Sequence, residues 1–260
     1  MSERNEFMKQ GSLFAAAREK LIVALDVSTR KEAFDLVKLL DGHVGAFKIG
    51  MQLYNSEGPD IVRDIQLLGG KVFVDLKFHD IPNTVAQVCR VITDRGAFML
   101  TLHASGGYKM MKAAVDSIAD QAVKIECTPP ISLAVTVLTS ISQEDFKKEM
   151  GITRPLADQV VHWAKLAQEA GISGVVSSPW EITSIRKACG DDFIIVTPGV
   201  RPVWSLADDQ KRIMTPQEAV ERGASYLVVG RPIAANPDPV AAAQKIVNEM
   251  AEGLKKIIKK

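Results

Sequence analysis

Eight short runs rich in β-branched and other apolar residues recur along the chain, and longer segments with helical spacing separate them. The runs cover residues 21–27, 46–50, 71–78, 98–104, 131–138, 174–178, 193–198 and 226–231. Most are almost continuously apolar rather than alternating, which is the pattern of strands buried on both faces of a parallel sheet. Between them, apolar positions three and four apart predict helices over 30–40, 59–68, 84–95, 108–120, 155–170, 180–188 and 215–222. Gly69, Gly96, Gly171, Gly190 and Gly223 stand where several of these helices must stop before the next strand.

Eight βα units within 260 residues leave nothing over for a second core. The pattern predicts an α/β fold, a (β/α)₈ TIM barrel forming a single domain over 21–260, with residues 1–20 as an N-terminal extension. The competing architecture is an open doubly wound sheet. Against it, the first strand runs into Asp26-Val27-Ser28-Thr29-Arg30 rather than into a glycine-rich dinucleotide loop.

Composition narrows the setting. Lys and Arg number 32 against 31 Asp and Glu, so the net charge of +1 gives no whole-chain attraction to nucleic acid or to a membrane. No apolar run approaches the length of a transmembrane helix. Cys89, Cys127 and Cys189 are scattered and odd in number, which fits a reducing compartment and a cytoplasmic location. The apolar stretch from Leu13 to Ala17 is too short for a secretory signal, and the first 20 residues read as an extension with an amphipathic turn. The Lys-rich end, 253–260, reads as the solvated close of the last helix, with a membrane-surface helix as the alternative.

Barrels of this kind place their chemistry at the C-terminal ends of the strands. Asp26 follows the first predicted strand, Lys48 lies in the second, Asp75 and Lys77 lie in the third with Asp80 beyond, and His103 ends the fourth. Asp75 and Lys77 are two apart, so regular alternation puts both on one face. A structural ion pair is the plain alternative, but desolvation offsets much of the attraction of such a pair, and Val or Ile would serve stability as well. A lysine flanked by carboxylates is a poor Schiff-base nucleophile and a well-placed proton donor, so Lys77 reads as a general acid. The carboxylates could alternatively hold a divalent cation, for which the ammonium would compete.

A second group of residues suits phosphate. Thr197-Pro198-Gly199-Val200-Arg201 ends the seventh predicted strand and Val229-Gly230-Arg231-Pro232 ends the eighth, where barrels commonly bind phosphate. Glycine lets backbone approach an anion, and each arginine brings a charged fork. Gln210 lies in the loop after the seventh strand, placed to close over a ligand. Trp180, Trp204 and His162 read as packing or surface residues.

The segment Asp75-Leu76-Lys77-Phe78-His79-Asp80-Ile81-Pro82-Asn83-Thr84 resembles the signature of the orotidine 5′-phosphate decarboxylase family in its bacterial form. The resemblance continues, in order, through Ala24-Leu25-Asp26, Lys48-Ile49-Gly50, 102–107, 135–140, 197–202 and 229–232. It implies decarboxylation of orotidine 5′-phosphate (OMP) to uridine 5′-phosphate (UMP) without cofactor or metal, the last step of pyrimidine nucleotide synthesis. By the same resemblance Lys77 is the proton donor, and Asp75 faces the substrate carboxylate. Lys48 completes the charge network and contacts the ribose, and Asp26 binds a ribose hydroxyl. Asp80 and Thr84 reach into the partner's site of a homodimer, and Thr139 contacts the pyrimidine. Arg201, Gln210, Gly230 and Arg231 grip the phosphate. Two other readings stay open at this point. One is a Mg²⁺-dependent sugar-phosphate lyase sharing the Asp-x-Lys-x-x-Asp spacing, and the other is a catalytically dead barrel that senses nucleotides.

Overall fold

The computed structural model describes the backbone of residues 2–205 and 214–258 and the side chains of 11–205 and 214–258. Along the chain, α1 (Ser2–Glu19) leads into β1 (Leu21–Ala24), α2 (Arg30–Leu40), β2 (Ala46–Gly50), α3 (Met51–Glu57) and α4 (Ile61–Leu67). There follow β3 (Val72–Phe78), α5 (Pro82–Asp94), β4 (Met99–His103), α6 (Gly107–Lys124), β5 (Ile131–Val135) and α7 (Gln143–Lys148). Next come α8 (Leu156–Glu169), β6 (Gly174–Val176), α9 (Ile182–Cys189) and β7 (Ile194–Pro198). Last are α10 (Pro216–Glu221), β8 (Tyr226–Val229), α11 (Arg231–Ala234) and α12 (Pro239–Ile258). The strands follow in the order β1-β2-β3-β4-β5-β6-β7-β8 as a closed barrel. The predicted (β/α)₈ class is therefore the observed one.

The chain divides into two compact units, Met1–Lys71 with Gly199–Lys260, and Val72–Pro198. In the first, β1 pairs in parallel with β2 and with β8. All four residues of β1 are buried, as a strand with a neighbour on each edge and cover on both faces requires. The start of α2 is fixed by a capping box, in which Thr29 accepts from the Glu32 N–H and the Glu32 carboxylate accepts from the Thr29 N–H. Thr215 and Glu218 do the same for α10.

The first 20 residues depart from their expectation. Rather than a turn, 2–19 form the single helix α1, whose Ala17 is fully buried. The end of α1 lies so close to Gly45 that a Cβ there would stand 2.1 Å from the Glu19 carbonyl oxygen. At the other terminus α12 runs to Ile258, and its last described turn, from Lys256 on, is exposed as expected, while the turn before it packs. Gly253 is buried, with room for no Cβ against the Gln217 carbonyl at 2.7 Å, and Lys256 pairs with Glu221 at 2.7 Å.

In the second unit β3, β4, β5, β6 and β7 pair in parallel, each with the next. Leu100, Leu133, Ala134, Val175 and Ile195 are completely buried in these strands. Gly190 ends α9 at φ +83°, a left-handed position that a side chain would resist.

One pairing is irregular. Val74 opposes Leu100 and Phe78 opposes Leu102, so four steps along β3 match two along β4. The surplus residues form a bulge, and within it Lys77 adopts φ +54°. For a lysine that backbone costs roughly 1–3 kcal/mol.

Candidate active site

The bulge places the central pair of the second unit. The Lys77 Nζ donates to Asp75 Oδ1 at 2.9 Å, with 26% and 14% of the two side chains exposed. The sequence expectation that both would share a face rested on regular alternation. The two side chains do meet, but through the bulge rather than through an undisturbed strand.

Thr101, on β4, completes this arrangement. Its Oγ1 accepts the Lys77 backbone N–H at 2.9 Å and donates to Asp75 Oδ1 at 3.0 Å, and the residue is fully buried. One hydroxyl thus satisfies the displaced backbone of the bulge and orients the carboxylate. Sequence reasoning missed Thr101 because a β-branched residue inside an apolar run reads as core. The missing signal was its position on the strand beside Asp-x-Lys.

Two imidazoles stand next to this group. The rings of His79 and His103 lie 5.4 Å apart between centroids, tilted by 38°. Burial lowers the His103 pKa below its ordinary value, and the charges of His79 and Lys77 lower it further while Asp75 opposes them. Past β3, Asp80 is exposed, and its Oδ1 accepts the Ile81 N–H at 2.6 Å. Thr84, in the first turn of α5, is exposed as well. So is Thr139, in the turn that follows β5.

The first unit holds the remaining described candidates. The Lys48 side chain is 12% exposed, and its ammonium sits 3.4 Å from Asp26 Oδ1. Gly230, directly after β8, approaches the same carboxylate, and a Cβ on it would lie 3.3 Å from Asp26 Oδ2. Asp26, Lys48 and Gly230 are thereby brought together from the ends of β1, β2 and β8.

Arg201 and Arg231, expected to grip phosphate, line one cavity of about 380 Å³ together with Trp204, Ser205 and Asn236. Arg201 is anchored by donating to the Val200 carbonyl at 3.2 Å. Ser205 donates to the Pro202 carbonyl at 3.0 Å. The two guanidiniums carry positive charge into a cavity suited to a small anion. Trp204, read from the sequence as packing or surface, is a wall of this cavity. Gln210 lies outside the described residues.

Comparison with known proteins identifies the family. Residues 19–246 match the model of a family described as Orotidine 5′-phosphate decarboxylase / HUMPS family. A curated protein of Syntrophomonas wolfei named orotidine 5′-phosphate decarboxylase is 57% identical over 237 residues, 91% of this chain and 99% of its own length. One of the same name from Heliobacterium modesticaldum is 53% identical, covering 92% and 98%. Among solved structures, orotidine 5′-phosphate decarboxylase from Lactobacillus acidophilus is similar at a TM-score of 0.79 and 39% identity, covering 88% of this chain and 98% of that one. With the match running through all eight strands and a relative 57% identical over nearly its whole length, the chain belongs to the orotidine 5′-phosphate decarboxylase / HUMPS family.

Proposed function

We propose that this chain is a carboxy-lyase that converts OMP to UMP and CO₂, with Lys77 as the proton donor. The observation that carries this reading is the Lys77–Asp75 contact at 2.9 Å, held by Thr101 on a backbone bulge. Breaking the bond from C6 to the carboxylate releases CO₂ and leaves the electron pair on C6 as a vinylic carbanion. A fixed ammonium beside that carbon stabilises the developing charge and then transfers its proton to C6. The amine regains a proton from solvent, and the atoms and charges balance.

The other candidates take the roles implied by the family. Asp75 faces the departing carboxylate, Lys48 and Asp26 hold the ribose, and Thr139 contacts the pyrimidine. Arg201, Arg231, Gly230 and Gln210 hold the phosphate, whose binding energy is available at the distant reacting carbon. We read 21–260 as one catalytic domain, acting in the cytoplasm in the last step of pyrimidine nucleotide synthesis. The working form is a homodimer in which Asp80 and Thr84 serve the partner's site. Exposure of both residues, and of Ile81 between them at 67%, supports that reading.

The test is OMP decarboxylation by protein exhaustively treated with EDTA, with Lys77→Ala assayed beside it. Full turnover by the treated protein, and none by the variant despite retained UMP binding, is the expected result. Activity lost with EDTA and restored only by Mg²⁺ would point to the sugar-phosphate lyase chemistry instead. Near-normal turnover by Lys77→Ala would remove Lys77 from its role.

A further inference from the structure

The cavity lined by Arg201 and Arg231 has one wall that is held from outside. Trp204 belongs to a short 3₁₀ turn, Val203–Ser205, and the residue is 38% exposed. The Lys245 ammonium stands 5.4 Å from the centroid of the indole. Glu249, one turn further along α12, feels the same side chain, which lowers its pKa against the upward push of burial. Both residues are on α12, four apart and so on one face of the helix. A cation over the ring restrains its tilt, and a carboxylate on the same helix face offers an acceptor to the indole N–H.

A small anion between two arginines is held more tightly when its surroundings exclude water and keep their shape. Charge pairing strengthens as the local dielectric falls, and a wall that is already ordered removes an entropic cost of binding. Trp204 supplies such an apolar wall beside the two guanidiniums. Burial pushes the Glu249 carboxyl above its ordinary pKa, and the neighbouring indole draws it back.

We propose that Trp204 is a positioning residue for the phosphate of the substrate, clamped by Lys245 and Glu249. The clamp governs affinity for the phosphate end and leaves the chemical step alone. This proposal rests on the decarboxylase reading for its substrate, but not for its first test.

That test is calorimetric binding of inorganic phosphate and of UMP. Trp204→Ala is expected to weaken both about tenfold, the order of one contributing aromatic contact. Lys245→Met and Glu249→Ala, on α12, should weaken them by about two- to fivefold. Glu249→Gln, which keeps an oxygen for the indole N–H, should stay near the unmodified protein. In turnover, Trp204→Ala should raise KM for OMP and hold kcat within about twofold. Its kcat/KM for orotidine, which has no phosphate, should be unchanged.

Unaltered phosphate and UMP affinity in folded Trp204→Ala and Glu249→Ala overturns the clamp. So does an equal loss of kcat/KM with OMP and with orotidine. If Trp204→Ala does not fold, the Lys245 and Glu249 variants carry the same comparison. A protein that binds phosphate through Trp204 but never turns over OMP would refute the decarboxylase reading and uphold the clamp.

Discussion

Lys77 and Asp75 meet at 2.9 Å although the lysine backbone sits at φ +54°, a region that side chains other than glycine avoid. The strained backbone is held by Thr101, which takes the Lys77 N–H and gives its own hydroxyl proton to Asp75. Removing that hydroxyl leaves a part-buried N–H without this partner, at a cost of about 1 kcal/mol. Thr101→Val should therefore lower the denaturant midpoint and the turnover of OMP together, whereas Thr101→Ser should recover most of both. Equal stability and activity in Thr101→Val would show that the hydroxyl holds nothing.

His103 should make stability depend on pH. Its folded-state pKa lies below the ordinary value of 6.5, chiefly through burial, then through His79 and Lys77, against the pull of Asp75. The unfolded chain therefore takes up a proton at a higher pH than the folded one. The contribution of this group is complete above 6.5 and is lost as pH falls from there through the folded pKa. Urea midpoints measured across this window should decline for the unmodified protein and decline less for His103→Asn. Parallel curves would assign the decline to other groups.

The three thiols should differ in reactivity. Burial pushes Cys89 up to about 12 and raises Cys189 as well, while Cys127 is partly exposed. A disulfide reagent applied to the native protein at mildly alkaline pH should label Cys127 first, and Cys127→Ser should abolish the fast phase. Rapid labelling of Cys89 would contradict its burial, because the thiolate is the reacting form.

A side chain at Gly45 should destabilise the fold. An added Cβ would meet the carbonyl oxygen of Glu19 at 2.1 Å and its carbon at 2.5 Å, both backbone atoms that yield little. Overpacking of this kind costs about 1–3 kcal/mol. Calorimetry of Gly45→Ala should show a lower Tm with OMP turnover at room temperature preserved. An unchanged Tm would mean that the end of α1 moves aside freely.

Site sharing between protomers can be tested by mixing inactive chains. Asp80→Ala and Lys77→Ala protomers, allowed to exchange, should regain part of the activity if each hybrid dimer contains one intact site. With exchange verified by mass, a flat zero would count against a contribution of Asp80 to the partner.

The sequence showed most clearly what short-range chemistry dictates. The predicted helix over 30–40 is the observed α2, Arg30–Leu40, because Thr29 and Glu32 cap it within four residues. By contrast α3 was not anticipated. Its N-cap is Gly50, which has no side chain to cap it, and only Leu53 of its seven residues is buried, so neither end chemistry nor periodicity announces it. The charged candidates were visible through their strand positions and family resemblance. Thr101 was not, because its value lies in two hydrogen bonds to a neighbouring strand, and Trp204 was not, because its supports come from α12 about forty residues later.

The bulge in β3 also bears on protein engineering. A designer who copies Asp-x-Lys onto a regular strand of another barrel transfers the side chains without the local geometry that joins them. The transferable unit is larger: the irregular strand through Phe78, the positive φ at Lys77, and a hydroxyl on the adjacent strand at the position of Thr101. Swapping that unit between barrels, with and without the threonine, would measure how much of the pair's geometry belongs to the backbone.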